Sequence, residues 1–327
     1  MRSFLLAFLV LLGSIGSSLD VDAGETGDSA DAMSWLKKIV TASRQINYAG
    51  SFVYQHGSQV ETSRIAHFLG SGGEYERLET LDGPPREVVR NNDNVTCYLP
   101  DAKTIVIEKR ATHHFPAQLP EQWSGIPDNY VVKKGEQDRV AGFDCQSITL
   151  EPRDNLRYGH RFCVELATGL PLRARMYSDK NEIVESFTFT QLIIGNAVNK
   201  DMLKSRYAGK TQGWRVDRSA LEQAAANADS GWVLKSQPAG FRKLTEMKRS
   251  ISGRPTQVSH IVYSDGLAAV SVFIEPMPKS PPPAGAAYQG AVNIYVRPQA
   301  DQMVTVVGET PARTVKMIAE SLSPKDR

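Results

Sequence analysis

A chain of 327 residues, 41% of them hydrophobic, can bury more than one core, so two domains are expected and a disordered or fibrous chain is excluded. The 38 Lys and Arg against 36 Asp and Glu leave a net charge of +2, and because the signs are mixed along the sequence, nucleic acid is not an expected partner. Three cysteines allow one disulfide and leave one thiol over.

Arg2 precedes an apolar run from Phe4 to Ile15 that is too short to span a bilayer and is followed by small and acidic residues. That is the layout of a secretory signal peptide, expected over residues 1–23 with cleavage after Ala23 and Gly16-Ser17-Ser18 as a second candidate site, an uncleaved membrane anchor being the alternative. No cysteine lies near either site, so no lipoprotein anchor is indicated. A helix is expected from Asp31 to Ile46, where Leu36, Ile39, Val40 and Ser43 recur at helical spacing. It should cover the concave side of the sheet that follows.

From Gly50 to Lys109 short alternating runs follow one another as a β-meander. Phe52 and Tyr54 share one face of a first run, and Ile65, His67 and Leu69 share one face of a second. Tyr75 to Leu78, Val88 to Val89, Val95 to Tyr98 and Ile105 to Ile107 continue the series, separated by Gly-, Asn- and Pro-rich turns. His113 to Asn129 reads as a loop, broken by Pro116, Pro120 and Pro127. A second β series then contains two hairpins, Val140 to Leu150 with Tyr158 to Leu166, and Leu170 to Tyr177 with Ile183 to Ile194. Cys145 and Cys163 flank the Pro152 to Asn155 turn at nearly equal distances, so they should face each other and form the disulfide, leaving Cys97 free.

Residues 24–206 are therefore read as a first domain, 207–230 as a Gly- and Ala-rich linker with a short helix at Ser219 to Ala228, and 231–327 as a second domain. Each domain is expected to fold alone. Strands are expected at Val258 to Tyr263, Ala268 to Glu275, Ala291 to Val296 and Gln302 to Val307. The closing helix is capped by Thr310, with Pro311 in its first turn and a stripe of Val315, Ile318, Ala319 and Leu322. Pro276 to Pro283 reads as a stiff hairpin loop.

No HExxH, P-loop, GxSxG, GxGxxG or CxxC pattern occurs, so no catalytic, metal or cofactor site is expected. Ser34-Trp35-Leu36-Lys37 has S-x-x-K spacing without its partner motifs, and a hydrolase built on Ser34 is the most distant alternative. His113 and His114 would point to opposite sides if extended. His67 is read as a hydrogen-bonded core histidine. What remains is a binding surface: Phe52, Tyr54, Phe68, Tyr75 and Tyr98 could line an apolar groove, with Arg77, Arg86, Arg90, Lys103, Lys109 and Arg110 as a basic rim. Such a groove suits an acyl chain with an anionic head or an extended peptide. Strand aromatics are as readily core.

Phe52-Val53-Tyr54-Gln55-His56-Gly57, the run from Glu76 to Arg90, Asp154 with Arg157-Tyr158-Gly159-His160-Arg161, and Thr168-Gly169-Leu170-Pro171-Leu172 resemble the RseB/MucB family of periplasmic sigma-E regulatory proteins. The likeness extends over essentially the whole mature chain, including Trp232 and the closing helix, and is strongest with the pseudomonad members between Gly50 and Arg90. It implies an α+β protein: an N-terminal lipoprotein-carrier-like antiparallel half-barrel over helices, joined to a smaller α/β C-terminal domain. It also implies a periplasmic, non-catalytic regulator that binds the periplasmic region of a membrane-spanning anti-sigma factor and shields it from the site-1 protease. Lipid or lipopolysaccharide signals would release it, lipid and peptide opposing each other. An independent periplasmic lipid or lipoprotein carrier is the alternative, and a homo-oligomer is left open.

Overall fold

The computed structural model describes residues 23–109, 125–218, 225–226, 229–249 and 256–325. All of the signal peptide expected over residues 1–23 except Ala23, together with Arg110, the His113 and His114 pair, and most of the short helix expected at Ser219 to Ala228, lies outside these residues.

Two antiparallel meanders make one open sheet. The first comprises β1 (Tyr48–His56), β2 (Gln59–Gly70), β3 (Gly73–Thr80), β4 (Glu87–Asn91), β5 (Asn94–Leu99) and β6 (Thr104–Lys109). The second comprises β7 (Tyr130–Val140), β8 (Phe143–Pro152), β9 (Gly159–Glu165), β10 (Pro171–Tyr177) and β11 (Ile183–Ile194). The chain returns along the second meander until β11 pairs with β1, and β12 (Arg215–Asp217) adds in parallel beyond β6, which completes 12 strands. The two meanders meet at a bulge between Ser51 and Phe52. There the backbones approach so closely that a Cβ on Gly50 would lie 2.2 Å from the Gln191 carbonyl oxygen, which is why glycine occupies the position.

Because opposite residues of a pair share a face, the register sorts the side chains. Tyr48, Phe52, Ile65, Phe187 and Phe189 fall on the inner face, where they pack with Leu170, Leu172 and the two bridged cysteines. Helix α1 (Ala23–Gln45) covers the far half of that face, burying Ala32, Trp35, Leu36 and Ile39 against Val132, Ile148, Leu150, Phe162 and Val164. The helix therefore covers β7 and β8 and leaves the inner face of the first meander to other neighbours. A four-residue helix, α2 (Ile126–Asn129), leads into β7.

The second domain is a seven-stranded antiparallel sheet in the order β13 (Ala225–Ala226), β15 (Arg242–Arg249), β16 (Val258–Ser264), β17 (Ala269–Pro276), β20 (Gln302–Gly308), β19 (Val292–Gln299), β18 (Gly285–Gln289). Between β13 and β15 lies β14 (Trp232–Leu234), which pairs with the closing β21 (Leu322–Pro324). Helix α3 (Ala312–Ser321) lays Val315, Ile318 and Ala319 against Val270, Val272, Val304 and Val306. Its stripe is the expected one as far as Ala319; Leu322 is buried but belongs to β21 rather than to the helix, and the cap also differs. Pro311 occupies the N-cap without a side-chain hydrogen bond, and Thr310 is buried beside it with its hydroxyl unpartnered.

The first part of the expected linker is structured. After β11 the chain turns back over the outer face of the first sheet through a 3₁₀ turn, Lys200–Leu203, that packs Met202 and Leu203 near Ala49, Ala66 and Phe68. Tyr207 then stacks on Tyr98 at 5.7 Å, and β12 ends the strap.

Candidate functional site

The residues expected to form one groove and its rim are divided between two faces of the sheet. Phe52, Tyr54 and Arg90 belong to the inner face, and Phe68, Tyr75, Arg77 and Tyr98 to the outer face. Phe52 is core, in edge-to-face contact with Phe187 at 5.5 Å and Phe189 at 6.1 Å. Arg90 is buried against Glu74 and Glu76. Arg77 is held by Glu79 at 3.0 Å and Glu87 at 2.7 Å, both carboxylates being buried. Of the three arginines, only Arg86 is well exposed, with Glu61 at 3.7 Å. A single apolar groove with a basic rim therefore does not assemble from this set. The alternation within each strand was legible, but the register between strands, which decides whose side chains share a face, depends on long-range pairing.

His67 is a fully buried core histidine. Its Nδ1 lies 2.8 Å from the Ile46 carbonyl oxygen, its Nε2 lies 2.9 Å from Glu74, and Tyr48 stacks on the ring at 5.1 Å. Ser34 and Lys37 lie on the solvent side of α1, and the Ser34 hydroxyl donates to the Asp31 carbonyl at 2.7 Å. Among the described residues no group of three or more His, Cys, Asp or Glu side chains could hold a metal ion. The disulfide joins Cys145 to Cys163, and Cys97 is free.

On the outer face, between the sheet and the strap, lies a cleft of about 390 Å³ lined by Ala49, Ala66, Leu192, Ile193 and Met202, with Arg64 and Arg77 at its polar side. The small side chains of Ala49 and Ala66 leave room for this space. Arg206 of the strap reaches Glu79 at 2.5 Å, and its backbone N–H donates to Glu87 at 3.2 Å, so the strap is fastened electrostatically beside the cleft.

The most constrained chemistry sits where the two domains meet. The turn after β8 inserts Leu156, Arg157 and Tyr158 into the second domain. Arg157, 1% exposed, places Nη1 3.1 Å from Asp265 and donates through Nη2 to the Ala239 carbonyl at 2.5 Å, with Asp154 3.2 Å away. The rings of Tyr130 and Phe241 lie 5.8 and 5.3 Å from its guanidinium carbon. Asp265 accepts the N–H groups of Leu267 and Ala268 at 2.8 and 2.7 Å and the Tyr130 hydroxyl at 3.3 Å. Burial nevertheless pushes its carboxyl up, with Arg157 opposing the rise. The Thr314 hydroxyl donates to the Leu156 carbonyl at 2.7 Å, and Asn293 donates to the Tyr158 hydroxyl at 2.9 Å. Sequence reasoning marked Arg157 and Tyr158 only as parts of a familial pattern. Asp154 apart, their partners lie far along the chain, where nothing local could reveal them.

A second contact joins the domains at the tip of the β1–β2 hairpin, where the His56 ring lies so near Gly290 that a Cβ there would meet Nδ1 at 2.8 Å. Beside it Tyr54 and Glu185 are hydrogen-bonded, and Glu309 of the second domain faces them. Burial, reinforced by the charge of Glu309, pushes the Glu185 carboxyl up to about 7. The folded state thus retains a proton that the unfolded chain loses near its ordinary value of 4.5. Its stabilising contribution is complete below that value and is lost as pH rises through about 7. Glu185→Gln is expected to match the parent in melting temperature at pH 4 and to exceed it at pH 8. Parallel melting curves at both pH values would contradict the assignment.

Fold and junction together define a two-domain protein whose open sheet is locked to a smaller sheet-and-helix unit through buried polar contacts. Family models for the MucB/RseB N-terminal and C-terminal domains match residues 31–207 and 226–323, and the chain belongs to the MucB/RseB family. It is 32% identical over 331 residues to the sigma factor AlgU regulatory protein MucB of Pseudomonas aeruginosa, covering 98% of this chain and 97% of that protein. To the sigma-E factor regulatory protein RseB of Haemophilus influenzae it is 24% identical, covering 97% and 96%. The solved complex of P. aeruginosa MucA and MucB superposes with a TM-score of 0.71 at 30% identity, covering 91% of this chain and 100% of that one. A second solved structure, of MucB, superposes with a TM-score of 0.64 at 30% identity, covering 91% and 99%.

Proposed function

We propose that this chain is a periplasmic negative regulator of a sigma-E-type envelope stress response. It binds the periplasmic region of a membrane-spanning anti-sigma factor, denies the site-1 protease access to that region, and lets go when lipid or lipopolysaccharide accumulates. The observation that carries this reading is the superposition, over both domains, on MucB in its complex with MucA. The buried junction gives the reading its physical sense. A peptide laid across two locked domains meets a preorganised surface and loses less entropy on binding than it would on two swinging ones.

The lipid arm has a narrower basis. Arg77 and Arg90 are already neutralised by carboxylates, so an anionic headgroup would meet Arg86, or Arg64 beside the outer apolar cleft. Lipid and peptide then favour different states of one protein, and each weakens the other by the same factor. The full mature chain is expected to form a stable complex with an anti-sigma periplasmic fragment and to release it on addition of lipopolysaccharide. A chain that retains acyl lipid through purification and ignores the fragment would instead be a carrier.

A further inference from the structure

The two larger sheets have four edges among the described residues, and three are protected in familiar ways. The β7 edge of the large sheet carries exposed charges at Lys133, Lys134, Glu136, Asp138 and Arg139 and a register break between Lys134 and Gln137. Its other edge, β12, is three residues long. In the second sheet the β13 edge is two residues long. The fourth edge, β18, differs. It runs five residues, Gly285-Ala286-Ala287-Tyr288-Gln289, without a charge or a proline. Among the described residues its one neighbour in the sheet is β19, with which its pairing is regular throughout. Ala286 to Gln289 are all exposed, and Tyr288 at 80% is the most exposed large hydrophobic side chain among the described residues.

The position of this strand matters as much as its composition. The turn that ends β18 holds Gly290, against which His56 of the first domain rests. Val60, the next strand's exposed residue at the same hairpin tip, is 62% accessible. An unpaired strand edge thus runs up to the contact between the domains, where an aromatic and a branched aliphatic side chain stand in solvent. Natural edges of this length and neutrality invite an added strand, because each unpaired N–H and C=O is a ready partner for another backbone.

We infer that β18 is the docking edge for an extended segment of the partner protein, which adds as an eighth strand to the second sheet and packs a side chain against Tyr288. The inference rests on the regulatory reading above, which supplies the occupant: the periplasmic region of an anti-sigma factor. Backbone pairing sets the orientation of that segment, while Tyr288 and the neighbouring hairpin tip read its side chains. The prolines at Pro281 to Pro283 lack N–H groups, so the augmented ladder starts at Gly285 and not before it.

The test uses the full mature chain and an anti-sigma periplasmic fragment in hydrogen-exchange and titration experiments. Binding should slow exchange within Gly285–Gln289. Tyr288→Glu and Ala287→Lys, each at an exposed position and each placing a charge on the edge, should weaken the fragment by about tenfold or more and leave the circular dichroism spectrum and melting temperature unchanged. Tight binding without protection of Gly285–Gln289, and with parental affinity in both variants, overturns the docking edge and leaves the regulatory reading standing. Failure of the parent chain to bind the fragment removes both. Protection that appears with rising chain concentration and no fragment assigns the edge to a second copy instead, and overturns the occupant proposed.

Discussion

Arg157→Met is expected to destabilise the chain by about 3 to 5 kcal/mol, the usual cost of deleting one member of a buried ion pair. Both side chains of the Arg157–Asp265 pair are fully buried, and each belongs to a different domain. Methionine has nearly the length of the arginine stem, so the packing against Tyr130 and Phe241 is largely kept while the charge is lost. What remains is a buried Asp265 with two backbone donors and one phenol but no cation, and a carbonyl at Ala239 without its donor. The pair need not stabilise the fold relative to an apolar replacement of both members, so Arg157→Met with Asp265→Asn should recover much of the loss. Denaturant titration of the parent, both single variants and the double variant measures this. A single variant within about 1 kcal/mol of the parent, the range of an exposed pair, would show that the junction is wetter than its geometry.

Removal of the Cys145–Cys163 disulfide ranks second. The bridge closes a sequence separation of 18 residues, which in the chain-entropy model contributes about 3 kcal/mol by restricting the unfolded state. The cysteines are not directly opposed: Cys145 pairs with Glu165 and Ser147 with Cys163, so the bridge runs diagonally across β8 and β9, with Cα atoms 5.4 Å apart. Both sulfurs lie in the aromatic core with Phe187 and Phe189. Cys145→Ala with Cys163→Ala should therefore lower the denaturation midpoint of the first domain by an amount comparable to reduction of the parent. If reduction leaves the midpoint unmoved, the bridge contributes little to stability.

Much of the first sheet was legible because its strands alternate and its turns announce themselves. Both hairpins of the second meander appear close to their expected bounds, and the closing helix carries Val315, Ile318 and Ala319 of its expected stripe. Strands without that signal were missed. In β15, Arg-Lys-Leu-Thr-Glu-Met-Lys-Arg is too charged to read as a strand, and a register shift between Lys243 and Thr245 leaves Leu244 in solvent. The small residues of β18 offer no hydrophobic period at all. The site was less legible than the fold. Aromatics and arginines close in sequence were pooled into one groove although alternate positions point to opposite faces, and Arg90 looked like a free cation until its glutamates were placed. Arg157 shows the same limit in reverse, since a loop arginine becomes the central charge of the junction only through a partner in the other domain.

Shielding of an anti-sigma factor is measured most directly as the rate at which the site-1 protease cleaves a purified anti-sigma periplasmic fragment while the full mature chain is titrated in. Cleavage should fall with a saturating dependence on chain concentration, Tyr288→Glu should shift the curve to higher concentration, and lipopolysaccharide should restore cleavage. Cleavage that proceeds at an unchanged rate at saturating chain would contradict the shielding role.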